Sequence, residues 1–314
     1  MNKAVQKLSI PYCSNKRNIC IIVQVITVIL CIFTVFVYNN TFKTGEDIEY
    51  PLEQSVDSYD PYVQQFDAFM KGQLYIDYAP DEKLAELENP YDRAQREDVT
   101  YLWDRSYYDG RYYSYFGTTP VFTVIYPYYF LTGKIPAAST IQLIFMLMFA
   151  VFFPLLIMVL GKKLSKRITP VMLSLIAYTA FVSSLQMLMA RGRSAFYYIA
   201  ATSAMAFLAM FAFLFFKGIF SERFKSRCIY FLFAGLAFAL CFHSRINVAF
   251  GAVFFIIPML VFGIILKKRK LRERIIELCS LAFFVIIGFV LSFIYNYLRF
   301  GDIFEIRLPQ SHWL

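Results

Sequence analysis

Charge is scarce in this chain. Charged residues fill 17% of 314 positions, against about a quarter in soluble proteins, while 59% are hydrophobic. That balance excludes an ordinary soluble domain. Histidine is nearly missing: His243 and His312 are the only two, and with six dispersed cysteines no Cys/His cluster offers a zinc site. Cys13, Cys20, Cys31, Cys228, Cys241 and Cys279 all avoid residues 41–117, so disulfides do not staple that segment. There is no P-loop, no Rossmann glycine pattern and no Ser/His/Asp set, and Gly110 and Gly117 are too isolated to cradle a phosphate. Internal repeats and low-complexity tracts are absent as well.

Acidic residues are rare everywhere but in one segment. Seventeen of the 22 lie between Thr41 and Gly117, with seven basic residues beside them. That stretch carries about −10 and the remainder about +19 by this count of charges. The formal +9 is therefore concentrated in short clusters between apolar runs: Lys162, Lys163, Lys166 and Arg167; Lys217, Arg223, Lys225 and Arg227; and "KKRKLRER" from Lys267. This is the positive-inside pattern of cytoplasmic loops, and it argues against a nucleic-acid partner.

What is present is membrane-like. "NICIIVQVITVILCIFTVFVY", Asn18 to Tyr38, carries no charge and is long enough to span about 30 Å of hydrocarbon. It has neither the short core nor the small-residue cleavage site of a signal peptide. Lys3, Lys7, Lys16 and Arg17 precede it, which predicts a cytoplasmic N-terminus. Apolar runs follow at 138–161, 170–190, 194–216, 228–242, 247–266 and 276–298. The expected fold is an all-α, polytopic membrane bundle of about seven spans in the plasma membrane, with an extracytoplasmic loop carrying surface helices. Its parts are the N-terminus and first span (1–38), an acidic loop (39–137), a six-span bundle (138–298) and an extracytoplasmic tail (299–314).

The segment 118–131 tests this threading. If it crossed, every later basic cluster would fall outside; if it lies on the outer surface, all fall inside. About 14 residues suit an interfacial helix better than a span. Its tyrosines favour the headgroup level, and Gly133 reads as its stop.

Four arginines then fall at the outer face: Arg191, Arg193, Arg245 and Arg299. An ionisable residue near hydrocarbon is costly unless it snorkels or has a partner. Snorkelling to lipid phosphate accounts for any one of them; four on one face point to an anionic ligand. Within the acidic loop, apolar residues at 63, 66, 69 and 70 predict a helix with one buried face. Pro61 stands at its first position and Asp60 at its N-cap. Capping is the first role for Asp60, which leaves Asp57 as the better general base. Arginines holding a phosphate leaving group, with a carboxylate deprotonating an acceptor, would form a workable pair. Trp103, Asp104, Tyr112 and Tyr115 lie in an aromatic-rich run that can stack on a sugar or form an interfacial belt.

Four stretches together resemble the GT-C class of polytopic glycosyltransferases, which includes the protein O-mannosyltransferases and aminoarabinose transferases. They are "DSYDPYVQQFDAFMKG" after the first span, with Asp57 and Gly72 at the class's separation; "YFGTTPVFTVIYPYYFLTG"; "AGLAFALCFHSRINVAF"; and "YNYLRFGDIFEI". The resemblance implies inverting transfer of a sugar from a polyprenyl-phosphate donor to an envelope glycan, lipid or protein acceptor. It implies Asp57 as base, Asp60 as cap or second carboxylate, and the four arginines as a donor-phosphate set. No cofactor is implied outright, although a divalent metal is compatible with the class. Its members usually continue through further spans, so a chain ending at Leu314 is expected to be short at the C-terminus. Two rivals fit the same pattern: a transporter or flippase for lipid-linked glycans, and a non-catalytic membrane component.

Overall fold

The computed structural model describes residues 17–42, 60–92, 94–96, 98–102, 104–164, 168–188, 196–261 and 269–304. The elements are α1 (Arg17–Phe42), α2 (Pro61–Met70), α3 (Glu82–Glu86), β1 (Arg105–Tyr108), β2 (Arg111–Ser114), α4 (Tyr126–Thr132), α5 (Ala138–Leu164), α6 (Pro170–Leu188), α7 (Phe196–Phe220), α8 (Phe224–Ser244), α9 (Ile246–Leu260) and α10 (Leu271–Phe300). Among the described residues, five helical segments are long and apolar enough to cross a membrane: Ile19–Asn39, Ala138–Lys163, Tyr197–Phe220, Phe224–Ser244 and Leu271–Phe300. The chain is thus a predominantly helical, multi-pass membrane protein. Helices α6 and α9 are apolar but shorter, at 19 and 15 residues.

The chain divides into two compact units, Met1–Glu46 with Gln142–Ile287, and Asp47–Ile141 with Gly288–Leu314. Both later boundaries fall inside helices, α5 and α10.

Side-chain contacts in the first unit give each helix a direction. Thr27 bonds Ser174, and Thr34 bonds Tyr178 at 2.9 Å, so α1 and α6 run parallel. Phe149 stacks on Phe181, and Gly161 abuts Leu173, so α5 opposes α6. Phe145 meets Phe207, Phe152 meets Phe213 and Lys163 meets Phe220, making α5 and α7 parallel. Helix α8 opposes α7: the Cys241 thiol reaches the Ala204 carbonyl at 3.3 Å, and Phe231 packs on Phe215. Helix α10 parallels α8, with Arg227 on Glu273 and Gly235 against Leu281. Two consequences are geometric: α1 ends and α5 begins at the same end of this bundle, and α6 must return between the parallel α5 and α7.

Small residues permit these approaches. Gly235 sits so close to the Leu281 carbonyl that a side chain has no room. An ion-pair network ties the same helices together. Arg227 binds Glu277 and also Glu273 (2.7 Å), while Arg269 binds Glu277 (2.8 Å). Arg227 further donates to the Glu222 carbonyl at 2.7 Å, and Arg269 to that of Ile219 at 3.3 Å. Glu277 is fully buried, yet both its oxygens are paired, the condition under which a buried carboxylate is tolerated. Two residues that read as loop charge, Arg227 and Arg269, are therefore packing partners.

The second unit departs from an all-helical loop. β1 and β2 form an antiparallel hairpin with Arg105 opposite Ser114 and Tyr108 opposite Arg111. Its turn residues Asp109 and Gly110 have φ of 49° and 68°, the paired positive values of the two-residue turn favoured by Asp-Gly. The Ile76 amide donates to the Tyr112 carbonyl at 2.7 Å, and Ile76, Leu84, Leu102, Tyr107 and Tyr112 make a small core.

Residues 121–132 are helical in two parts. Pro127 has no N–H, and its ring crowds the carbonyl four residues back. The chain opens into a π-helical turn, Val121–Ile125, before continuing as α4. Gly133, at φ 72°, stops it with its amide on the Tyr129 carbonyl. Phe122, Tyr126 and Phe130 stack in succession along this helix. Phe66 of α2 packs edge-on against Tyr126 and Tyr129.

Candidate functional site

The second unit gathers polar groups where a core would normally be apolar. Asp60 caps α2, its carboxylate accepting from the Tyr62 amide at 2.8 Å, with Pro61 in the first turn. This is the expected cap. The helix it starts is buried on more than the one predicted face. Val63 and Phe66 are buried as anticipated, Met70 is exposed, and Gln64, Gln65 and Asp67 are buried too.

The reason lies in what the glutamines serve. Gln64 Oε1 accepts from Arg105 Nε at 2.9 Å and from Nη2 at 2.6 Å. Gln65 Nε2 donates to the Tyr295 hydroxyl at 3.1 Å and to the Phe116 carbonyl at 3.5 Å. Buried amides carrying such bonds hold their neighbours in one arrangement. Lys71 closes the helix with ion pairs to Asp67 (2.9 Å) and Asp77 (2.7 Å). Gly72, at φ 72°, then donates its amide to the Phe69 carbonyl.

Arg105 is 2% exposed. Burial brings its guanidinium down to about 10, against the opposing fields of Asp60 and Asp104; it stays charged at neutral pH. Burial also raises the Asp60 carboxyl above its ordinary range, while the Tyr62 and Val63 amides and Arg105 pull the other way. Desolvation outweighs the charge partner here.

Arg299 closes the cluster from α10. Its Nη1 donates to the Ser114 carbonyl at 3.1 Å and its Nη2 to Asn296 Oδ1 at 2.7 Å. Its guanidinium lies 3.9 Å over the Tyr295 ring and 4.6 Å from Phe300, a cation–π clamp. No carboxylate pairs with Arg299 among the described residues, and both its Nε and Gln65 Oε1 are buried without a hydrogen bond there. Gly301, at φ 70°, ends the helix two residues later with its amide on the Tyr297 carbonyl.

Asp60, Gln64, Gln65, Arg105, Ser114, Tyr295 and Arg299 thus form one packed cluster. Of the residues the sequence singled out, Asp60 and Arg299 belong to it, and Asp104 stands beside Arg105 at φ 57°. Tyr112 is fully buried and packs on Tyr107, so its ring serves the core. Tyr115 is 49% exposed and meets Phe116 edge-on. Arg245 is exposed in the first unit, between α8 and α9. Asp57, Trp103, Arg191 and Arg193 lie outside the described residues.

Arg105, Gln64, Gln65 and Tyr295 were not legible as site residues. The available signal was the Asp-Gly turn of "DRSYYDGRYYS", which pairs Arg105 with Ser114 once the segment is read as a hairpin. Among the described residues no set of three His, Cys, Asp or Glu side chains is placed to hold a metal ion.

Compared with known protein families, characterised proteins and solved structures, the chain matches none. The fold defines its class, a multi-pass helical membrane protein.

Proposed function

We propose that the protein transfers a sugar from a polyprenyl-phosphate donor to an envelope acceptor at the outer face of the plasma membrane. In this reading Asp57 is the general base, and Asp60 shapes the helix that follows it. Arg299, with Arg105 in the same cluster, receives the anionic leaving group. The observation that carries the proposal is Arg299: a half-buried cation with no carboxylate partner among the described residues, whose buried Nε–H has no acceptor there. A charge partly withdrawn from water is favoured by a counter-charge, and a phosphate supplies one in the geometry arginine favours. A resemblance to GT-C enzymes in four stretches of the chain supports the same chemistry.

The threading has its own support. The shared end at which α1 stops and α5 starts favours zero net crossings for residues 43–137, with 121–132 lying along the surface. The return strokes demanded between α5 and α7, and between α8 and α10, favour α6 and α9 as spans, giving seven in all and a cytoplasmic N-terminus by the positive-inside rule.

Replacing Asp57 by Asn removes the base with little change of shape. Transfer from a radiolabelled polyprenyl-phosphate sugar by purified protein is expected to fall about 100-fold or more, the usual scale of a lost general base, with helix content unchanged. Undiminished transfer would remove Asp57 from the reaction. Binding of the donor lipid without turnover in the wild type would favour the transporter reading.

A further inference from the structure

An apolar pocket lies in the first unit. Between α5, α7 and α9 is a cavity of about 260 Å³, lined by Phe149, Phe153, Leu156, Ala209, Ala212 and Phe216 among others, all apolar. The space is a half-open groove, and its wholly apolar walls suit hydrocarbon better than water. It follows the helix axes from Met205 to Phe216 on α7, about 16 Å at 1.5 Å per residue. A hydrocarbon chain has that length and chemistry; a compact solute does not.

One end of the cavity leads to positive charge. Phe149, Phe153 and Leu156 follow the i, i+4, i+7 rhythm of one helix face, and Lys163 lies a further seven residues along it. The Lys163 ammonium is 5.4 Å from the Phe220 ring, and Phe220 continues the Ala212, Phe216 face of α7. Lys217 adjoins Phe216 and sits 5.8 Å over Phe213. Lys162 is near enough to Lys217 for the two to repel. Arg227 and Arg269, in the same bundle, are neutralised by Glu273 and Glu277. Neither Lys163 nor Lys217 has a salt bridge among the described residues. Like charges gathered beside an apolar slot are relieved by an amphiphile whose anionic head and apolar tail match both.

We propose that this cavity holds one acyl chain of an anionic glycerophospholipid, with its headgroup phosphate on Lys163 and Lys217 and Lys162 adding to the field. The proposal depends on the multi-pass bundle alone and not on sugar transfer, so the two stand or fall separately.

The test uses the full chain, delipidated in neutral detergent and supplied with phosphatidylglycerol or phosphatidylcholine of identical acyl chains, with retention read by native mass spectrometry. Phosphatidylglycerol is expected to be retained preferentially, about fivefold less for each of Lys163→Gln and Lys217→Gln. Ala212→Phe, which fills the slot, is expected to abolish retention of both lipids. Equal retention of the two lipids by wild type, or unchanged retention in the double lysine variant, overturns the proposal. Should Ala212→Phe fail to fold, as judged by circular dichroism, the surface lysine variants carry the test alone.

Discussion

Asp60 is the residue whose physics is most exposed to measurement. Its carboxyl is raised by burial even though two amides and Arg105 favour its charged form. A raised folded-state value means that the folded protein binds the proton first. The resulting stability is fully present below the ordinary value of 3.8 and is lost as pH rises through the elevated one. Asn at this position keeps an acceptor for the Tyr62 amide but carries no charge. The gap in melting temperature between wild type and Asp60→Asn in detergent is therefore expected to change in favour of wild type as pH is lowered from 7 to below 4. A gap independent of pH would mean that desolvation is not what controls this group. Arg105 and Gln64 show the complementary case, in which a buried guanidinium is made tolerable by a neutral amide that accepts twice.

At the scale of elements, the close contacts are made by residues without bulk. Gly235 lets α8 lie against the Leu281 backbone of α10, and Arg227 on the same helix reaches Glu273 and Glu277. A methyl group at 235 would overlap a carbonyl that cannot swing aside. Gly235→Ala is expected to cost about 1–3 kcal/mol, the range for overpacking a tight contact, and to lower the melting temperature of the purified protein. A variant as stable as wild type would show that α8 and α10 can slide apart. The hairpin and the 121–132 helix obey equally local rules: Asp109-Gly110 supplies two positive φ values, and Pro127 opens a π turn ahead of itself. Both devices were present in the sequence. The hairpin is not evident along the chain because its strands are only four residues each, too short to show alternation.

For the whole molecule, the decisive quantity is the side of the membrane on which residues 43–137 lie. Parallel α1 and α6, with α5 opposed to both, bring the end of α1 and the start of α5 together, in keeping with a segment that leaves and re-enters at one face. In a background without the native cysteines, a cysteine at position 134 is expected to react with an impermeant maleimide added to intact cells. Labelling only after permeabilisation would mean that 121–132 crosses, and would invert every basic cluster beyond it.

Much of this protein was dictated along the chain itself. Apolar length determined the long helices, because hydrocarbon accepts only backbone that bonds to itself. Charge asymmetry sorted the acidic loop from the basic turns, and Asp60-Pro61 announced the start of α2. Those are local or compositional effects, legible without knowing what touches what. Tertiary structure alone decided the rest. Gln64 and Gln65, polar by sequence, are buried because Arg105 and Tyr295, 41 and 230 residues away, occupy their bonds. Arg227 and Arg269 turn from loop charge into packing because Glu277 lies 50 and 8 residues distant. Burial of a polar group is stable only with its partner in place, and a partner so far along the chain is chosen by the fold.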